Sequence, residues 1–512
     1  MIRHHRVRAA SGRILVPSLV FVGMVVAVIS SLGAPLIPAV AAADHVSLSD
    51  AQWSLTISFL VSAVATPLMG RLGDGPHRRA VILAGLGIVT VGGVLAALPL
   101  GFASLLTGRG LQGVGLGLVP LGMAVARDAL PAERARPAVA TLSITTAAGI
   151  GLGYPITGLI AQYGGLHAAF WFGAAVSALA FVVATLVIPS SAHHPSRRLD
   201  ASGAVLLGAA LAGLLLAISE GGSWGWTSAR LVVVGALSLA GLAGWVLLEL
   251  RRTHPLVEVR LLRLRTVFTA DVTVLLTGVG FYLLVSLMTR FVQTPLSSGY
   301  GLGASTTVAG LVLLPFSAAS LAASKIAPVL VRRVSAGAVP PIGSGVMVLS
   351  MLMFTYARDS LWEIIVIMGI AGLGVGCILA VLPGFIVGSV PAHETGSALS
   401  FNQVLRYIGF AVGSTLSAVV LQAHTAPGRA LPEGDGYTVA GLTSCGVWVL
   451  TAAVTLVLPR LRTRTPAQAV REEPVHAVRE EETGTGPRQI KNIVHTVPNV
   501  NDDASPGTRM GS

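Results

Sequence analysis

The residues of this chain best placed to do chemistry are ionisable side chains inside long apolar runs, and three stand out: Arg109, Asp271 and Arg406. A charge in lipid is costly unless it faces protein interior or water. Arg109 is followed by Gln112 and Gly113, and Arg406 follows Asn402 and Gln403. Both arginines are therefore expected to face a hydrated cavity, the alternative being a side chain that snorkels to the membrane surface. Asp271 is the one acid clearly inside an apolar run. Burial of a carboxylate favours its neutral form, which makes Asp271 a candidate to carry a proton. The competing reading is a carboxylate that reaches the interface or caps the start of its helix, where the dipole favours negative charge.

A second group lies in a tight turn. Gly70, Asp74, Arg78 and Arg79 fall within ten residues, and Asp128 ends a later apolar run. Exposed pairs among such charges contribute only about 0 to 1 kcal/mol each, which suits a latch that breaks and reforms. An ordinary bias of positive charge towards the cytoplasm accounts for the arginines but not for Asp74.

Other chemistries find little support. His4 and His5 lie at the terminus, His193 and His194 in a loop, and His254 and His393 are isolated, so no metal-ligand spacing occurs inside an apolar run. A membrane enzyme would need a nucleophile with a base, or a metal cluster. Neither is evident, no Walker-type phosphate loop is present, and no cofactor is called for. Cys377 and Cys445 both sit in apolar segments and read as packing residues. The formal charge of +12 resides in short loops between apolar runs, not on a folded basic surface, which argues against nucleic acid as a partner.

The elements that must position these residues follow from composition. The 512 residues are 53% hydrophobic and 11% charged, against roughly 25% charged for a soluble domain. Apolar runs long enough to cross a bilayer as helices recur throughout. Six are expected between residues 14 and 190, two between 201 and 249, and six between 266 and 459. Residues 1–13 are expected to be a cytoplasmic N-terminus and residues 460–512 a disordered cytoplasmic tail, too polar to fold alone. The apolar stretch from Ile14 to Ala43 is about twice a secretory h-region, so it is read as a span and not as a cleaved signal. With the N-terminus inside, alternate loops carry Arg78 and Arg79, Arg134 and Arg136, Arg197 and Arg198, Arg251 to Arg265, and Lys325 with Arg332 and Arg333. Both termini are then cytoplasmic. Sixty glycines, Gly149 and Gly153 among them, permit close helix approach where helices have no hydrophobic drive to associate.

At the turn from Gly70 the chain resembles the major facilitator superfamily, whose loop pattern Gly-x-Leu-x-Asp-Arg-x-Gly-Arg-Arg/Lys is matched by Gly70, Leu72, Asp74, Arg78 and Arg79. Gly75 and His77 depart from it. Lys325, Arg332 and Arg333 form a degenerate second copy, as parallel repeats of this fold imply. Arg109, Gln112, Gly113 and Gly115 match Arg-x-x-Gln-Gly-x-Gly, whose Arg the family implicates in proton coupling. Gly149, Gly153, Pro155 and Gly158 resemble the antiporter pattern, with Tyr154 standing where Pro is usual. The extra central pair, the outer loop from Glu220 to Trp226, and Arg406, Gly409 and Gly413 resemble the fourteen-span drug:proton antiporters. An Asp usual in their first span is absent from Ile29, Ser30 and Ser31.

The resemblance implies an all-α fold of two six-helix bundles plus two central helices, fourteen crossings in all, working by alternating access about a midplane site. It implies proton-coupled efflux of drug-like or amphipathic molecules. The alternatives are an exporter or uniporter of a specific metabolite, antibiotic or lipid without standard proton antiport, or a sensor that binds without moving its ligand. The expected partners are a small-molecule substrate, protons and the lipid bilayer, with the chain acting as a monomer. Phe281, Tyr282, Met288 and Trp171 would suit an apolar ligand, or else face lipid and core.

Overall fold

A computed structural model of the chain describes residues 2–73, 77–189, 201–252, 255, 258–390, 395–429 and 431–456. Every regular element among the described residues is helical. The first half contains α1 (Ile2–Ser31), α2 (Ile37–Ala43), α3 (Leu48–Gly73), α4 (Arg78–Ala97), α5 (Phe102–Gly113), α6 (Leu118–Ala129) and α7 (Ala132–Val187). Two helices follow, α8 (Ala201–Trp224) and α9 (Ala229–Arg251). The second half contains α10 (Arg265–Gln293), α11 (Thr306–Leu311), α12 (Leu314–Arg333), α13 (Val339–Tyr356), α14 (Leu361–Val387), α15 (Thr395–Ala423) and α16 (Gly434–Leu456). The expected tail, residues 460–512, lies outside the described residues.

Thirteen helical stretches among the described residues are long and apolar enough to cross a membrane. The fourteenth crossing is inside α7. Its 56 residues would run to about 84 Å as one straight rod, far beyond a bilayer core of about 30 Å. Gly165, at φ 82°, breaks it, a backbone angle that glycine adopts without a Cβ penalty. The chain folds back there: Arg79, at the start of α4, reaches the carbonyl of Thr185 near the end of α7, while α7 also begins at this end of the bundle. That end also carries Lys325, Arg332 and Arg333 and is called the basic end below.

Because lipid is as apolar as leucine, packing depends on close backbone approach and on hydrogen bonds between helices. The α10 and α15 pair makes this explicit. A Cβ on Gly278 would lie 2.8 Å from the Arg406 carbonyl and 3.1 Å from the Gly409 Cα. A Cβ on Gly409 or Gly413 would collide with the carbonyl oxygens of Leu275 and Val279. These are backbone atoms, unable to swing aside. Gly409→Val is therefore expected to separate the two helices, at about 1–3 kcal/mol or more for overpacking. A drop in monodisperse yield and melting temperature in detergent, relative to Gly446→Ala, whose added Cβ meets nothing within 4 Å, is the measurement.

Candidate functional site

Arg109 sits on α5, one turn before the chain tightens to a 3-10 turn over Val114–Gly117. Ser58 of α3 donates to the Arg109 carbonyl at 2.9 Å, and Ser62 donates to the Gly113 carbonyl at 2.8 Å. This serine ladder is tight enough that a Cβ on Gly113 would collide with the Ser58 carbonyl, which fixes the residue type in that motif. The Arg109 side chain is 2% exposed. Its guanidinium donates to the carbonyls of Ser54 (3.2 Å) and Ile29 (3.4 Å) and to Gln112 Oε1 (2.7 Å). Arg109 thus pins α1, α3 and α5 together. The cavity beside it, lined by Ile29, Ser30, Ser58, Phe59, Gln112 and Leu116, holds about 10 Å³, room for one water. The expected hydrated cavity at Arg109 is corrected accordingly: backbone carbonyls solvate the cation.

Asp271 lies in the seventh position of α10, whose N-cap is Leu264. It is 1% exposed, and its Oδ1 accepts a 2.8 Å hydrogen bond from Asn402 of α15. Its Oδ2 has no hydrogen-bond partner. Its position beyond the first turn and its bond to Asn402 are not those of a helix cap. Arg406 lies one turn further along α15, half-buried, with its Nε unpartnered and its guanidinium carbon 5.9 Å from the Tyr407 ring centroid. Its partial exposure and the single ring beside it leave the expected hydrated surroundings as an expectation.

The halves meet through groups that sequence alone does not single out. Gln52 of α3 donates to Ser286 of α10 at 2.9 Å and to Ser414 of α15 at 2.8 Å, and Thr56 donates to Ser414 at 3.1 Å. Ser49 donates to Gln422 at 3.0 Å, and Gln293 donates to the Pro35 carbonyl at 3.1 Å. All of these lie towards the end opposite the basic loops. Phe59 packs edge-on against Tyr282 at 4.3 Å and against Phe410 at 5.3 Å between centroids. Tyr154, in the position of the family's usual Pro, is buried and interacts with Tyr282 across the halves. Gly153 presses on Val28 and Ser31 of α1, and Gly158 presses on Thr306, so this stretch of α7 serves two interfaces. Gln52→Leu is expected to weaken the closure by about 1 kcal/mol, roughly a fivefold shift in population. Spin labels on Ser49→Cys and Gln422→Cys report it as growth of a longer-distance component.

At the basic end, Arg78 Nε donates to the Gly73 carbonyl at 2.7 Å, closing the last turn of α3, and Arg79 donates to Thr185. Asp74, the side chain of Asp128, and Gly149 beyond its helical backbone lie outside the described residues. Pro155 itself is half-buried within α7. Trp171 is 47% exposed, which removes it from any internal cavity, whereas Phe281, Tyr282 and Met288 are internal. Arg290 escaped notice in the sequence because it follows the apolar run that ends at Met288. It is 5% exposed, with Nε and Nη1 unpartnered, near Tyr300 and Tyr437.

The same architecture occurs elsewhere. A solved POT family transporter in complex with 5-aminolevulinic acid has a TM-score of 0.63 at 14% identity, covering 86% of this chain and 96% of that one. The human organic anion transporter MFSD10 has a TM-score of 0.57 at 18% identity, covering 87% and 99%. At such identities the likeness shows the fold alone. In sequence, the Multidrug resistance protein Stp of Mycobacterium tuberculosis is 30% identical over 385 residues, 73% of this chain and 68% of Stp. The Tetracenomycin C resistance and export protein of Streptomyces glaucescens is 28% identical over 416 residues, 78% and 74% of the two chains. The model of the Major Facilitator Superfamily matches residues 19–414. Since that match runs from α1 through both helical halves into α15, the chain belongs to the Major Facilitator Superfamily and is a multi-pass membrane transporter.

Proposed function

We propose that this transporter is a proton-coupled exporter of drug-like, amphipathic small molecules. Residues 14–190 and 266–459 act as two bundles that rock about a midplane site, and residues 201–249 are accessory helices. The chain works as a monomer with both termini in the cytoplasm, and it catalyses no covalent reaction. Efflux as its direction is supported by relatives named for multidrug resistance and for resistance and export. The distribution of Lys and Arg between alternate loops supports the orientation.

The observation that carries proton coupling is Asp271, a carboxylate buried in a membrane helix with one oxygen unpartnered. A proton carried by this carboxylate in one state and released when the other stage of the cycle exposes it would couple substrate movement to protons. Closure through the neutral hydrogen bonds of Gln52 and Thr56 at the end opposite the basic loops supports a state in which release faces the cytoplasm. The latch residues Gly70, Asp74, Arg78, Arg79 and Asp128 would then engage when the basic end closes. The test is simultaneous recording of dye flux and internal pH in proteoliposomes of the full chain. Export of a dye that acidifies the opposite compartment supports the reading. Dye flux that leaves pH unmoved under an imposed dye gradient points to a uniporter instead.

A further inference from the structure

Six aromatic rings from both halves converge near the midplane: Phe59 of α3, Phe281 and Tyr282 of α10, Phe316 of α12, and Tyr407 and Phe410 of α15. Phe281 and Phe316 stack at 4.9 Å, and Tyr282 and Phe410 lie 4.7 Å apart. Rings at these separations offer faces and edges between which a planar aromatic molecule can insert when the halves part.

Phe59 is also a wall of the small cavity beside Arg109, which joins the ring cluster to a polar pocket. That pocket offers an unengaged donor. Gln112 is 4% exposed, yet its Nε2 has no acceptor, while its Oε1 is taken by Arg109. The Ser30 and Ser58 hydroxyl protons are already committed to the carbonyls of Val26 and Arg109. The guanidinium of Arg109 supplies a fixed positive charge.

Acids are remote. Among the described residues, Asp271 and Glu249 are the buried ones. Asp271 lies eleven residues before Tyr282 on α10, about 16 Å along the helix, and Glu249 is on α9. A permanent cation entering the ring cluster would meet the Arg109 charge without a neighbouring carboxylate. Ring faces attract cations, but a quadrupole acts over a shorter range than a buried full charge.

We infer that this chamber selects planar aromatic ligands that present a carbonyl, phenolate or carboxylate oxygen to Gln112 and Arg109, and that it discriminates against lipophilic cations. The inference rests on the export reading only in taking the chamber as the substrate's path. The Gln112 amide binds the acceptor oxygen, the Arg109 charge favours its anionic form, and the rings hold the plane. The acceptor replaces the single water that the cavity can admit.

Three dyes of one tricyclic skeleton separate the variables: resorufin (anionic), phenoxazin-3-one (neutral, with a carbonyl) and oxazine 1 (cationic). Binding to the full chain in nanodiscs is read by fluorescence anisotropy. Resorufin and phenoxazin-3-one are expected to bind at least about tenfold more tightly than oxazine 1, the scale of a hydrogen bond to a charged or unsatisfied buried group. Gln112→Leu should weaken phenoxazin-3-one and resorufin by about fivefold or more by removing the donor, leave oxazine 1 within about twofold of its wild-type affinity, and keep resorufin ahead of oxazine 1 through the remaining Arg109 charge. Gln112→Glu, which keeps the acceptor for Arg109 but replaces the free amide and adds an acid, should lower resorufin affinity and raise that of oxazine 1. Equal or tighter binding of oxazine 1 by wild type overturns the inference, as does an equal loss for all three dyes in Gln112→Leu, or no binding of any. Anisotropy with the predicted order but no dye flux in proteoliposomes leaves the inference standing and removes the export reading. Flux confined to oxazine 1 does the reverse.

Discussion

Asp271→Asn is expected to abolish uphill transport while sparing downhill exchange. A one-unit pH step can sustain about a tenfold substrate gradient when one proton is exchanged per substrate, because one pH unit corresponds to 1.36 kcal/mol. Proteoliposomes with wild type should approach that ratio. With Asp271→Asn the ratio should fall to about one, since an amide cannot take up a proton. The substitution is conservative in every other respect. Asn402 donates to Oδ1 of Asp271, and an amide oxygen at that place can still accept. The unpartnered Oδ2 becomes an NH₂ group, at a cost of about 1–3 kcal/mol if it finds no acceptor, so the folded yield should be reduced but measurable. Substrate counterflow, which needs no net proton movement, should persist at a large fraction of the wild-type rate. Loss of counterflow together with accumulation would assign Asp271 to packing of α10 against α15 and not to coupling. Asn402→Leu provides the complementary variant: it removes the donor but leaves the carboxylate, so coupling should survive with a changed pH dependence.

The helices were largely legible because a bilayer makes length and apolarity decisive: any run of about 20 apolar residues is a span, wherever its side chains point. For the same reason, facing was illegible. In helices apolar all round, periodicity carries no signal, so Trp171 and Phe281 looked alike, though one faces outward and the other packs across the halves. Arg109, Gln112 and Gly113 were legible through spacing within one helix. The pairing of Asp271 with Asn402 spans 131 residues, and the convergence of Gln52 on Ser286 and Ser414 spans 234 and 362, separations that local pattern does not encode. Gln52 could have been suspected as an amide in the first turns of a long membrane helix, and Arg290 as a cation in a helix that continues through the apolar Phe291 and Val292. Tyr154 read only as a departure from Pro. Its place against Tyr282 gives the departure a physical content, since Pro there would bring no hydroxyl to the interface between halves.

Arg109→Ala is expected to abolish both accumulation and counterflow, a larger loss than that from Asp271→Asn, because it removes a positioning element as well as a charge. The guanidinium bridges three helices, through the carbonyl of Ile29 on α1, the carbonyl of Ser54 on α3 and Gln112 on its own helix. Hydrogen bonds between membrane helices average about 0.6 kcal/mol and reach about 2 kcal/mol, so losing the two interhelical ones should lower stability by roughly 1–4 kcal/mol. The vacated volume adds a packing penalty, because Arg109 is among the largest fully buried side chains. Arg109→Lys separates geometry from charge. Lysine keeps the charge but has no planar fork to reach acceptors on three helices at once. Its melting temperature in detergent should fall between those of wild type and Arg109→Ala, and its transport should remain below about a tenth of wild type, the scale of one lost charge-assisted hydrogen bond. Full transport by Arg109→Lys would mean that the positive charge alone matters. Loss of transport with partly retained stability would mean that the fork, by holding α1, α3 and α5 in register beside the ring cluster, is what the half must keep as it moves.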